Sequence, residues 1–288
     1  MKLILVNNGH NPKCEEYLVA AAKKRGLAAE VVSSEKNIFE IGKKQNIKND
    51  LIYRIAVDKS EALLEQSFLL GNNLASFFTK ELNLKRRFGN KLTRYIEFAN
   101  AGVPIPPTIF SNSTNTADLK KISKKLGLPL IIKTLTGSLG NGILLVDSFF
   151  GLKTTVQFLV SKKSEFIFQK MIHESAGKHI RVVVLGEEIL CAYQKSVPKK
   201  VDFRSNATGG FFSKNKIVKI DAKTKKIVLK AVAAAGVEFG GIDLLPTKNG
   251  YLVTEVNFPC NFAASQDFTG VDIAGKMLDF LIAKTARK

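Results

Sequence analysis

Two carboxylates and a carboxamide, Asp243, Glu255 and Asn257, fall within one short stretch that runs from Gly241 to Asn257. Apolar runs at 242–245 and 251–256 flank a Pro/Lys/Asn/Gly turn, the pattern of a β-hairpin. Side chains alternate along a strand, so Glu255 and Asn257 project together and a cross-strand neighbour such as Asp243 can join them. Two carboxylates ~4 Å apart at an effective dielectric of ~20 repel by roughly 4 kcal/mol. A cation would relieve that repulsion. Hard oxygen donors with a carboxamide suit Mg²⁺, which keeps waters and phosphate oxygens as its other ligands. Taken alone, the hairpin fits equally well with acidic residues that simply face solvent.

Upstream residues favour the cation. Lys133 ends an apolar strand just before Thr136–Gly142, a segment holding Gly137, Ser138 and Gly140. Glycines allow close approach of backbone N–H groups to anionic oxygens. The spacing matches neither a P-loop nor a dinucleotide-binding turn, and strand follows it instead of helix. A flexible flap between two strands, with a lysine aimed at phosphate, is the functional reading; an ordinary hairpin loop is the bland one. Further on, Asp202-Phe-Arg204-Ser205-Asn206 follows the basic run Lys195-Ser-Val-Pro-Lys199-Lys200. Arg204 offers a fixed fork of donors to phosphate or carboxylate, while Lys199 and Lys200 read as a solvated loop.

The elements that must position these residues are legible in outline. Strands at 2–6, 30–32 and 51–55, with helices at 15–25, 61–70 and 74–82, give a βαβ rhythm and a small open parallel sheet. A helix at 92–100 is stopped by Gly102, Pro104, Pro106 and Pro107, which force extended chain at 108–110. The expected pattern continues with a helix at 117–126 and strands at 130–134, 143–146, 166–169, 181–185 and 189–193. Helices at 223–239 and 271–284 complete it. The 288 residues are 45% hydrophobic, enough for two or three lobes. A net charge of +19 draws polyanions without choosing among them. Three separated cysteines imply neither a disulfide framework nor a zinc site. No run approaches the ~20 apolar residues of a membrane span, and the first strand is too short for a signal peptide; a cytoplasmic protein is expected.

Four blocks together resemble the ATP-grasp enzymes, and within them the RimK-like alpha-L-glutamate ligases. These are Asn90-Lys91 with Gly102-Val-Pro-Ile-Pro, Pro129-Leu-Ile-Ile-Lys133 with its flap, Asp202 to Asn206, and Gly241-Ile-Asp243 with Glu255-Val-Asn257. A fifth, Thr269 to Met277, is similar to the family's last helix. The resemblance covers nearly the whole chain, more weakly before residue 85. It implies an α/β fold with an N-terminal open parallel-sheet lobe (1–88) and an ATP-grasp domain (89–288). Within that domain a lid at about 111–169 and a catalytic lobe at about 170–288 would clamp ATP. It implies ADP-forming carboxylate–amine ligation through an acyl phosphate. Lys91 and Lys133 resemble the lysines on the ATP phosphates, with Gly137, Ser138 and Gly140 in the flap. Gln169, Lys170 and Met171 resemble the adenine border, His179 the ribose position, and Arg181 a further member of the anionic cluster. Arg204 and Asn206 resemble the residues beside the transferred phosphoryl group. Asp243, Glu255 and Asn257 resemble ligands of two Mg²⁺ ions (or Mn²⁺ in their place), with Glu255 as the bridge.

The chain also departs from the family. Lys170 stands where a glutamate usually borders adenine, His179 where an acid often meets ribose, and Phe258-Pro259-Cys260-Asn261 where a Ser-Pro-Gly turn is typical. Weaker nucleotide discrimination is therefore expected. Glutamate is the expected amino acid and an acidic molecule or protein tail the expected acceptor, drawn by Lys195, Lys199, Lys200, Lys214, Lys216 and Lys219. The rival reading is a non-catalytic protein of the same fold that holds RNA or a ribosome by its charge. No membrane partner is expected, and a homo-oligomer is left open.

Overall fold

The computed structural model describes residues 1–7, 9, 11–33, 50–55, 90–136, 142–198, 202–204 and 214–285. The helices expected at 61–70 and 74–82 and the centre of the glycine flap lie outside them. At the N-terminus, β1 (Lys2–Val6), α1 (Pro12–Lys24), β2 (Ala28–Val32) and β3 (Leu51–Arg54) form a parallel sheet of order β2-β1-β3. Proline at its first turn starts α1, and Lys23 and Lys24 complement the helix dipole at its end.

A second lobe follows the helix α2 (Lys91–Asn100). It contains β4 (Thr108–Phe110), α3 (Thr116–Leu126), β5 (Leu130–Thr134), β6 (Ile143–Val146), α4 (Phe149–Ser161) and β7 (Phe166–Lys170). Its four strands run antiparallel in the order β4-β7-β5-β6. Leu119, Ile122 and Leu126 of α3 and Leu152, Val156 and Leu159 of α4 bury one face of this sheet. The sequence pattern did not announce α4. Its 3.6-residue period is blurred by apolar residues on both sides, since Phe150 and Phe158 are exposed while Leu152 and Leu159 are buried. The Ser148 hydroxyl, which accepts from the N–H of Gly151, sets its start.

The third lobe is a five-stranded antiparallel sheet of order β10-β9-β8-β11-β12. Its strands are β8 (Lys178–Leu185), β9 (Glu188–Ser196), β10 (Lys214–Ile217), β11 (Phe239–Thr247) and β12 (Gly250–Asn257). Between β10 and β11 lies α5 (Ala222–Ala235). It stops short of the expected end at 239 because Gly236 takes a left-handed conformation, φ 67°, as its C-terminal cap. Phe239 then opens β11 and is buried against the N-terminal lobe. Two helices close the chain, α6 (Ala263–Thr269) and α7 (Ile273–Thr285); α6 and β10 are additions to the sequence reading. One face of the sheet packs Val182, Ile242, Leu244 and Val253 against α2 and α5. On the other face, Val183 and Leu185 join the core shared with β1, α1 and α7. That second face also carries a polar stretch centred on Asp243. Among the described residues no helix is long and apolar enough to cross a membrane.

Candidate active site

The polar face is a register effect. Glu255 pairs with Asp243 across β12 and β11, Asp243 with Arg181 across β11 and β8, and Arg181 with Tyr193 across β8 and β9. Four strands thus present one row of side chains, with Asn257 opposite Gly241 in the next. A β-bulge makes the row possible. Val253 and Glu255 are two apart and would share a face in a regular strand. The register slips after Asp243, so Val253 faces Leu244 in the apolar core while Glu255 faces Asp243. Thr254 is the inserted residue, and its hydroxyl donates to the Asp243 carbonyl at 3.1 Å.

Asp243 is the centre of this row. It is buried, and Arg181 grips both its oxygens, Nε to Oδ1 at 2.7 Å and Nη2 to Oδ2 at 3.1 Å. The Asn257 amide donates to Oδ2 at 3.2 Å, and His179 Nε2 lies 3.6 Å from Oδ1. The Nε–Oδ1 approach is short but off the hydrogen-bond axis, which leaves Oδ1 buried with lone pairs to spare. Burial above all, with Arg181 and Lys195 adding to it against the pull of Asp243, lowers the His179 pKa to about 4. His179 is therefore neutral at physiological pH. The departure at position 179 thus places an imidazole against the carboxylate of Asp243. Gly241 makes room for this packing, because a Cβ there would come within 2.6 Å of Arg181 Nη1 and 2.7 Å of Cys260 Sγ.

Glu255 differs. It is open to solvent yet sits in a recess where surrounding protein, and then Asp243, push its pKa up, while Arg181, Lys133 and Lys91 pull it down. Both expected phosphate lysines therefore act on the same carboxylate. Lys133 acts from the lid sheet, where its ammonium donates to the Tyr95 hydroxyl at 3.2 Å and lies 5.7 Å from that ring's centre. Tyr95 in turn donates to the Thr254 carbonyl at 3.1 Å. This chain of contacts ties the lid to the bulge. Lys91 is the first residue of α2, fixed by the Asn90 side chain, which accepts from the N–H of Thr93.

Sequence reasoning missed Tyr95 and took Lys195 only as part of a basic segment at the acceptor's entry. Lys195 pairs with His179 across β8 and β9, and its pKa is lowered by burial first and then by Arg181. Lys195 thus lies with His179 in the row next to Arg181 and Tyr193.

Other expected residues make their described contacts elsewhere. Arg204 is paired with Asp202, Nη2 to Oδ2 at 2.9 Å and Nε to Oδ1 at 3.1 Å. Their segment lies at the head of β8, where the Phe203 carbonyl accepts from the N–H of Gly177 at 2.7 Å. Gln169 is buried and donates to the Thr108 hydroxyl at 2.9 Å, a bond within the lid. Lys170 is exposed at the end of β7 and Met171 is buried. Gly137, Ser138, Gly140 and Asn206 lie outside the described residues.

The donor set suits a hard cation. Asp243, Glu255 and Asn257 supply two carboxylates and an amide oxygen from adjacent strands. Among the described residues no three His, Cys, Asp or Glu side chains converge on a metal position. A partial oxygen shell fits Mg²⁺, which is bound by one or two carboxylates with water and phosphate completing it.

The sequence pattern of the RimK-like ATP-grasp domain matches residues 89–281. This chain belongs to the RimK-like ATP-grasp family. Across 98% of its length it is 26% identical to the "Probable alpha-L-glutamate ligase" of Trichodesmium erythraeum (strain IMS101), covering 96% of that protein. A protein of the same name from Pectobacterium carotovorum subsp. carotovorum (strain PC1) is 32% identical over 70% of this chain and 65% of its own length. The structure of the ATP-grasp ligase PsnB complexed with minimal precursor, Mg and ADP superposes with a TM-score of 0.75. It covers 98% of this RimK-like chain and 97% of PsnB at 17% identity, a likeness of fold.

Proposed function

We propose that this protein is an ATP- and Mg²⁺-dependent ligase that joins a carboxylate to an amine, adding glutamate to an acidic acceptor. The observation that carries the reading is the convergence on Glu255 of Lys133 and Lys91, beside an Asp243 held by Arg181. Three cations acting on a carboxylate pair make a place where phosphate oxygens and a divalent ion neutralise each other. In this reading Lys91 and Lys133 hold the nucleotide phosphates from the start of α2 and from β5. Asp243, Glu255 and Asn257 hold Mg²⁺, which would neutralise charge on the transferred phosphoryl group when bound. Lys195 faces the same region from β9 and takes the anionic end of the reacting carboxylate or phosphate. Arg204, carried beside β8, acts on the acyl phosphate with Asn206. The γ-phosphoryl group passes to the carboxylate, ADP leaves, and the amine then displaces phosphate to form the amide. No side-chain nucleophile is needed, because positioning and preorganised charge do the work. The names of the curated relatives support glutamate, and the basic residues of β9 and β10 support an acidic acceptor.

The test is mass spectrometry of a peptide pool incubated with the protein, ATP, Mg²⁺ and the amino acids. Added glutamate mass with equal ADP and phosphate is the expected result. Release of AMP and pyrophosphate would overturn the chemistry, because it requires attack at the α-phosphorus.

A further inference from the structure

The outer surface of the lid lobe carries exposed apolar side chains beside lysines. Just over half of the exposed large hydrophobic side chains among the described residues lie between Phe110 and Val160. The most prominent are on the solvent side of α4, where Phe150 is 81% and Phe158 59% exposed. Thr154 lies between them at helical spacing, and its hydroxyl donates to the Phe150 carbonyl at 2.7 Å. The Ser161 hydroxyl likewise donates to the Phe158 carbonyl at 2.8 Å. Both hydroxyls of this stripe are thus already satisfied within the helix, which lowers their penalty for leaving water. Beside it, α3 turns Lys120, Lys121, Lys124 and Lys125 outward, with Asp118 near Lys121 at 3.7 Å. Because α3 and α4 share one apolar cluster beneath them, their outer sides form a single surface.

We infer that this surface docks on an anionic lipid bilayer. The phenyl rings enter the boundary between headgroups and acyl chains, and the lysines lie among the lipid phosphates. Two other occupants fit less well. A second copy of the chain would bring the same lysines face to face. Nucleic acid could meet the lysines through its phosphates, but it offers no apolar medium for two phenyl rings about 12 Å apart along one helix. Docking leaves the cleft free, since Lys133 lies on the opposite side of the lid sheet from α3 and α4. The expectation of no membrane partner rested on the lack of a spanning segment, which does not bear on surface attachment.

The chain contains no tryptophan, so Phe150→Trp and Phe158→Trp each create a unique fluorescent reporter in the full-length protein. The probes are vesicles of phosphatidylcholine alone and of phosphatidylcholine with phosphatidylglycerol, at physiological and high salt. Blue-shifted emission and quenching by bromine-labelled acyl chains are expected with the anionic vesicles alone. Ile96→Trp, at a half-exposed site on α2, should show neither. Lys120→Glu with Lys124→Glu should weaken partitioning by about tenfold or more. Vesicle adsorption without insertion at 150 or 158, or an equal shift at 96, would reduce the effect to net charge and overturn the proposal. A shift with RNA or polyglutamate but not with vesicles would also overturn it. None of these readouts depends on ligase activity.

Discussion

Replacing Arg181 by Met should destabilise the protein far more than loss of an ordinary ion pair. The two partners are largely dry, with Arg181 at 13% and Asp243 at 10% side-chain exposure, and the contacts are 2.7 and 3.1 Å. A solvent-exposed pair is worth about 1 kcal/mol or less. Removing one partner of a buried pair leaves an uncompensated charge, at about 3–5 kcal/mol. Near the ~2 °C per kcal/mol of large domains, Arg181→Met should lower the melting temperature by about 6–10 °C. Arg181→Lys should fall between, since an ammonium keeps the charge without the fork. Asp243→Asn in the Arg181→Met background removes the stranded charge, so the double variant should lose about 1–3 kcal/mol less than the sum of the singles. Thermal unfolding followed by circular dichroism measures all four proteins. A drop below about 2 °C in Arg181→Met, or strict additivity in the double variant, would refute the argument that Arg181 holds Asp243.

Other expectations follow from the same geometry. Glu255→Gln should keep the fold and lower turnover by about 100-fold or more, read as ADP release at limiting and saturating Mg²⁺; near-normal turnover at limiting Mg²⁺ would remove the metal reading. His179 has a folded pKa of about 4, below its ordinary 6.5. The unfolded chain therefore takes up the proton first, and this contribution to stability is complete above about pH 6.5 and is lost as pH falls towards 4. Melting temperature against pH should be flatter in His179→Gln, and parallel curves would remove the effect. Calorimetric titration with ATP and GTP should reveal modest discrimination, because Lys170 is exposed at the end of β7; a strong preference for ATP would mean that backbone contacts choose the base. Turnover of acidic acceptor peptides should exceed that of neutral ones and fall with salt as the Debye length shortens from ~10 Å at 0.1 M to ~3 Å at 1 M. Equal, salt-independent rates would show that the basic strands do not select the acceptor.

Local patterns alone determined a good part of this protein. The apolar runs around Asp243 and Glu255, their short turn and the glycine and proline stops encode strands and breaks through nearest-neighbour chemistry. The hairpin, the N-terminal βαβ unit and the family blocks were accordingly legible before any fold was known. Helix α4 was not, because its exposed phenylalanines mask the period that buried residues alone would show. Only the tertiary structure decided which faces meet. Sequence alternation would set Val253 and Glu255 on one side; the bulge at Thr254 sends one to the core and the other to the cleft. Arg181 and Asp243 are 62 residues apart and Lys133 and Tyr95 are 38 apart, so no local signal couples them. Their meeting depends on strand order and on the lid's approach to the sheet. Those are set by burial of the apolar clusters on either side, a property of the whole chain and not of any segment of it.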